Sequence, residues 1–137
     1  MATITELIRK EADGSISFGN YELDTKAKLD DFNHNGDIYK VKTFKEITKL
    51  EKNGMFVYES VPGTAVNNFV ASEKKVSFQV EAAEDAQVTL ELEEEAEYEI
   101  FVNGASAGTM KTNLGGKLSI SVELENKETV SVVVEKR

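Results

Sequence analysis

Two alternating runs dominate the chain: Val88-Thr89-Leu90-Glu91-Leu92 and Tyr98-Glu99-Ile100-Phe101-Val102, joined by the acidic stretch 93–97. Alternation of apolar and polar residues with period two is the pattern of half-buried strands, and the short polar link is the pattern of a hairpin. If Glu94-Glu95-Ala96 forms the loop, Leu92 is expected opposite Tyr98, Leu90 opposite Ile100 and Val88 opposite Val102. The same register stacks Glu91 against Glu99 and Glu93 against Glu97. Such a ladder of like charges stands in a sheet only under water, salt, a cation or a basic partner, which makes these four glutamates a candidate acidic patch.

The rest of the chain is punctuated at short intervals. Asp13-Gly14, Asn35-Gly36, Asn53-Gly54 and Asn103-Gly104 accept positive φ and close tight hairpins, Pro62-Gly63 fits the centre of a type II turn, and Leu114-Gly115-Gly116 breaks the chain again. Between these marks, strands are predicted over residues 6–11, 15–18, 27–32, 37–43, 47–52, 55–61, 76–80, 88–92, 98–102, 105–111, 118–124 and 130–135. Two segments also carry helical signals. Thr43-Phe44-Lys45-Glu46 has the spacing of a capping box ahead of Ile47 and Leu50, and Ile4, Leu7 and Ile8 share one helical face. Lys26 and Lys28 on one strand, and Glu135-Lys136-Arg137 closing the last, read as charges that guard sheet edges.

This many short strands in one chain predict an all-β sandwich or barrel. Texture changes at residues 71–75: aromatic residues, Asn and Asp are frequent before it, and cleaner strands rich in Val and Glu follow. Residues 1–72 are therefore expected to form a meander of β-hairpins, and residues 76–137 a small β-sandwich, the two packed closely because no long Gly, Ser or Pro linker separates them.

Composition narrows the functional classes. With 137 residues, 40% hydrophobic and 30% charged, the chain has globular composition and enough length for a core. Its net charge of −9 argues against nucleic acid and against anionic membrane surfaces, which need a basic footprint; the 16 Lys and Arg are scattered along the sequence and form no cluster longer than a pair. There is no cysteine, hence no disulfide, thiolate or zinc chemistry. The start, Met1-Ala2-Thr3-Ile4-Thr5-Glu6, lacks the basic and apolar parts of a signal peptide, and no apolar run nears the roughly 20 residues of a spanning helix, so the expected location is the cytoplasm.

Tyr98-Glu-Ile-Phe-Val-Asn-Gly-Ala-Ser-Ala-Gly-Thr, Gly116-Lys-Leu-Ser-Ile-Ser-Val-Glu-Leu and Val130-Ser-Val-Val-Val-Glu together resemble the strand pattern of small immunoglobulin-like accessory domains of bacterial carbohydrate-active and surface proteins. That resemblance implies an immunoglobulin-like sandwich for residues 76–137. The whole chain, above all Asp13-Gly-Ser-Ile-Ser-Phe-Gly-Asn-Tyr-Glu-Leu and Asn53-Gly-Met-Phe-Val-Tyr-Glu-Ser-Val-Pro-Gly-Thr-Ala-Val, also resembles short gut-bacterial proteins labelled endosialidase. This second resemblance implies a carbohydrate-related role, either glycan binding or hydrolysis of polysialic acid.

Candidate chemistry in the residues themselves is sparse. Asp31-x-Asn33-x-Asn35-Gly36-x-Ile38 follows the first eight positions of a helix-loop-helix calcium loop, so Asp31, Asn33 and Asn35 are candidate ligands for Ca2+, the one cofactor these residues would take. The twelfth position, where a bidentate glutamate belongs, is Lys42, and the flanks read as strands joined by an Asn-Gly turn. His34, the single histidine, sits in the same turn, and no Ser or Thr stands in a nucleophile-elbow pattern. Tyr39, Phe56, Tyr58, Tyr98 and Phe101 are the aromatic residues available as a sugar or peptide platform. By parity Phe101 and Val133 point away from the core, as a second packing layer or an interface. These readings predict a non-catalytic structural or interaction module that needs no cofactor and acts on a protein partner or on a further copy of itself, with a carbohydrate-related protein as the alternative.

Overall fold

The computed structural model describes residues 3–72, 74–124 and 129–137. Its strands are β1 (Ile8–Lys10), β2 (Ile16–Phe18), β3 (Ala27–His34), β4 (Asp37–Phe44), β5 (Ile47–Lys52), β6 (Met55–Val61), β7 (Ala65–Ala71), β8 (Lys75–Glu81), β9 (Ala86–Glu91), β10 (Glu97–Val102), β11 (Ala105–Lys111), β12 (Lys117–Val122) and β13 (Val130–Lys136). They build two antiparallel sheets packed as a β-sandwich. One has the order β1-β2-β7-β8-β13-β10-β11, the other β12-β9-β6-β5-β4-β3. No helix long and apolar enough to cross a membrane occurs among the described residues.

Alternation does most of the local work. Val88 and Leu90 of β9, Leu118, Ile120 and Val122 of β12, and Val130, Val132 and Val134 of β13 are buried, while the residues between them face outward. Phe18, Tyr58, Phe69 and Phe78 meet edge to face at the centre, with centroids 5.2 Å apart for Phe18–Tyr58, 5.6 Å for Phe18–Phe69 and 5.7 Å for Tyr58–Phe78. Each such pair adds about 1 kcal/mol to the area that it buries. Asn35-Gly36, Asn53-Gly54 and Asn103-Gly104 all have positive φ at both residues, as tight hairpins require. The strands β3 to β6 form a meander of hairpins; Phe44 lies opposite Ile47, so the segment with the capping-box signal is a hairpin and not a helix.

The leading hairpin of the sequence reading is not formed. β9 pairs with β12 and β6 in one sheet, β10 with β11 and β13 in the other, so Leu90 lies opposite Leu118 and Tyr58, and Ile100 opposite Val134 and Gly108. Both runs do turn the expected side chains inward, but toward each other across the core. Alternation decides which residues are buried and leaves the neighbouring strand open, and the link after β9 is long enough to step between sheets stacked about 10 Å apart. Thr112 holds this arch: its hydroxyl donates to the Glu93 carbonyl at 2.6 Å and accepts from the Ala96 amide at 2.9 Å.

Three further expectations change. β7 escaped the sequence reading because Asn67-Asn68 sits in a bulge, with Asn68 at φ 56°, which puts the inward residues Val66 and Phe69 three apart and breaks the period of two. Glu135-Lys136-Arg137 guards no edge, since β13 is paired on both sides. Gly63 follows a cis Val61–Pro62 bond and has no positive φ; it is needed for space, because a Cβ there would lie 2.0 Å from the Phe44 carbonyl oxygen. At the change of texture β7 ends on Ala71 and β8 begins on Lys75, with Glu73 outside the described residues, and strands from both sides of it enter both sheets and one apolar cluster.

Candidate functional site

A two-sheet sandwich has four strand edges, and each must be paired, covered or guarded. On one side they are β1, three residues long, and β3, which carries Lys28, Asp30 and Asp31 and bulges between Leu29 and Phe32. On the other side they are β11 and β12. β11 is exposed along its whole length and has no charged residue from Ala105 to Met110; β12 has none from Leu118 to Val122. The one irregularity of β11 is a bulge opposite Ile100 and Phe101, with Gly108 at φ 110°.

Beside this edge the chain exposes apolar residues. Met110 is 40% and Leu114 74% exposed. Leu114 is held rather than frayed: Asn113 Oδ1 accepts from the Gly115 and Lys117 amides at 2.8 and 3.0 Å, the Leu92 amide donates to the Gly116 carbonyl at 2.7 Å, and a Cβ on Gly116 would lie 2.3 Å from the Leu92 carbonyl oxygen. Around the corner, on the outer face of the seven-stranded sheet, Phe101 lies opposite Val133, Val133 opposite Ser77 and Ser77 opposite Val70. The two interface candidates from the sequence are thus direct neighbours, both half-buried, in a row that ends on the 48% exposed Val70.

The acidic candidates do not form a ladder. Glu91 lies opposite Lys117, Glu93 forms an ion pair with Lys136, Glu97 lies opposite Lys111, and Glu99 pairs with Arg137 and accepts from Ser106 Oγ at 2.7 Å. Only the contact of Glu99 with Glu135 across β10 and β13 keeps like charges opposed. Once β9 and β10 part into different sheets, each of these glutamates finds a basic neighbour instead.

The calcium candidates do not converge either. Asp31 sits in the β3 bulge at φ 58°, Asn33 is exposed with its Nδ2 3.5 Å from the Asp31 carbonyl, and Asn35 occupies the turn with its Nδ2 3.2 Å from His34 Nε2. No group of three or more His, Cys, Asp or Glu side chains arranged to hold a metal ion occurs among the described residues.

At the end of the sandwich a cleft of about 230 Å³ is lined by His34, Asn35, Asp37, Tyr39 and Lys52 with Ile16, Val57 and Phe69 behind them. His34 Nε2 donates to the Gly14 carbonyl at 3.0 Å, which ties the ring to the β1–β2 turn, and the ring packs 6.3 Å from that of Tyr39. Burial, and then the charge of Asp37, raise the Tyr39 phenol above its ordinary range. Among the described residues no serine, threonine or cysteine lines this cleft beside His34. Of the aromatic platform candidates, Tyr58 and Tyr98 are buried in the core, and Phe56 lies under Lys117 Nζ at 4.9 Å.

The open β11 edge and the exposed Leu114 were not legible beforehand, because exposure of an edge depends on which strands fail to find a neighbour. No family model, no curated protein and no solved structure matches this chain.

Proposed function

We propose that this chain is a non-catalytic interaction module of the cytoplasm that associates with a further copy of itself by pairing β11 edge to edge. The observation that carries the reading is the fully exposed β11 strand, uncharged from Ala105 to Met110, with the exposed Leu114 beside it. An antiparallel edge is self-complementary: a two-fold axis brings the outward-facing N–H groups of each copy, on either side of the bulge at Ala107, to carbonyls of the other and joins two seven-stranded sheets into one. Small residues, Ala105, Ser106, Ala107 and Gly108, leave the approach open. Each backbone hydrogen bond contributes about 1 kcal/mol net, and burying Met110 and Leu114 about 2 kcal/mol each, against an association cost of several kcal/mol, so a reversible dimer is expected. In the same reading the sandwich serves as an immunoglobulin-like accessory fold.

Sedimentation velocity over a concentration series tests it. The wild-type protein should sediment heavier than one 15.2 kDa chain as concentration rises, and Ala107→Lys, which sets like charges across the two-fold axis, should restore the monomer without changing thermal stability. A wild-type protein that stays monomeric at high micromolar concentration refutes the proposal.

A further inference from the structure

Lysines that stand singly in the sequence are brought together on the outer face of the six-stranded sheet. Lys28 lies opposite Lys42, and Lys42 opposite Lys49, so three ammonium groups stand in one line across β3, β4 and β5. Lys40 joins them from the next outward position of β4, since Val41 between Lys40 and Lys42 is buried, as is Thr43 after them. Lys28, Lys40, Lys42 and Lys49, with Glu51, line a pocket of about 70 Å³.

The pocket is short of counter-charge. Lys40 reaches Asp30 at 4.0 Å and lies opposite Glu51, and Lys49 reaches Glu51 at 3.5 Å and lies opposite Glu59, whereas Lys28 and Lys42 form no ion pair among the described residues. Like charges placed directly opposite one another weaken a sheet, yet in a chain of net charge −9 Lys42 has a lysine opposite it on each side, while the carboxylates of this face stand at the ends of the row, beside Lys40 and Lys49. Guarding an edge explains Lys28 on β3 but not Lys42 and Lys49, whose strands are paired on both sides. Partial desolvation first, and then Lys26, Lys28, Lys49 and Lys40, lower the affinity of Lys42 for its proton, as expected of a cation crowded by others.

We propose that this pocket binds a phosphate or sulfate group. Its volume of about 70 Å³ is enough for one tetrahedral oxyanion. Lysine ammonium groups act as point charges with three donors each, suited to an anion whose oxygens point in several directions. A tetrahedral dianion offers up to four oxygens and two charges to the long side chains of Lys28, Lys42 and Lys49, whereas one carboxylate offers two oxygens and one charge. The inference is independent of the β11 edge, which belongs to the other sheet.

Titrations with inorganic phosphate, inorganic sulfate and glycerol phosphate, against sodium chloride of matched ionic strength and followed by amide and lysine side-chain NMR, test the site. At least one of the three should shift resonances of β3, β4 and β5 saturably, and Lys42→Gln should weaken that binding at least tenfold, with Lys10→Gln on β1 as the unaffected control. Tighter binding of glycerol phosphate than of phosphate places the group on a larger molecule; the reverse order assigns the free anion; preference for sulfate assigns a sulfo group. Shifts spread evenly over all lysines, no saturable shift with any of the three, or unchanged affinity in Lys42→Gln overturns the proposal.

Discussion

Replacing Thr48 by valine is a severe test of how this sandwich is held, because the two side chains have nearly the same shape and differ by one buried hydroxyl. Thr48 is fully buried. Its Oγ1 donates to the Thr64 carbonyl at 2.9 Å and accepts from the Thr64 amide at 3.0 Å. With that proton committed, Thr43 must be the donor in the 2.8 Å contact between the two threonine hydroxyls, and Thr43 in turn accepts the Asn20 amide at 2.9 Å. Valine therefore leaves the Thr64 N–H, the Thr64 carbonyl and the Thr43 hydroxyl without this partner in the interior. A buried polar group deprived of its partner costs about 1–3 kcal/mol, while the added methyl recovers about 1 kcal/mol of apolar burial. Thr43 can turn its hydroxyl, so the expected loss is about 3 kcal/mol, a large share of the roughly 5–15 kcal/mol typical of a domain. Urea unfolding followed by far-UV circular dichroism reads it directly, and the melting temperature should fall by about 10 °C. Thr89→Val is the control: Thr89 shares a 2.8 Å hydroxyl contact with Ser119 on the solvent side of the same sheet, and its loss should cost under about 0.5 kcal/mol. If Thr48→Val costs less than about 1 kcal/mol, the hydroxyl network does not hold the β6–β7 turn as reasoned.

Gly63→Ala should destabilise by about 2–3 kcal/mol, because its Cβ would meet the Phe44 carbonyl oxygen at 2.0 Å, whereas Gly54→Ala, open on all sides but at φ 80°, should cost about 1 kcal/mol; equal losses in urea unfolding would contradict the packing argument. Stability should also fall in alkali. Burial pushes the Tyr58 phenol from 10.0 to about 12, so between those pH values the unfolded chain gives up this proton while the folded one keeps it, and about 2–3 kcal/mol is lost across the window. Tyr21, raised to about 12 by burial and by Glu81, acts in the same direction. Tyr58→Phe should make the decline of urea midpoint from pH 10 to 12 shallower, and an unchanged slope would remove Tyr58 from the account.

Much of the fold was legible because it rests on local chemistry. The inward assignment of Leu90, Tyr98, Ile100 and Val134 follows from alternation alone, and the Asn-Gly turns follow from the residues that accept positive φ. Where local signals conflicted, as over residues 43–51, the outcome depended on neighbours: Thr43 and Thr48 are buried together in a hydroxyl network that a helix would separate. β7 was hidden because its bulge shifts Phe69 out of step with Val66. The interface candidates Phe101 and Val133 were found by parity and do lie side by side, whereas the acidic ladder failed with the hairpin on which it depended.

The sequence by itself determined an all-β chain, which residues face the core and where the chain turns, since those properties depend on side-chain periodicity and on backbone preferences within a few residues. Only the tertiary structure decided which strands are neighbours. Pairing partners far apart in the chain are chosen by burial of the whole core, and a period of two is satisfied equally by the strand alongside or by one across the sandwich. That choice moved Glu91 away from Glu99, left β11 as an open edge, and set Lys28, Lys42 and Lys49 in one row.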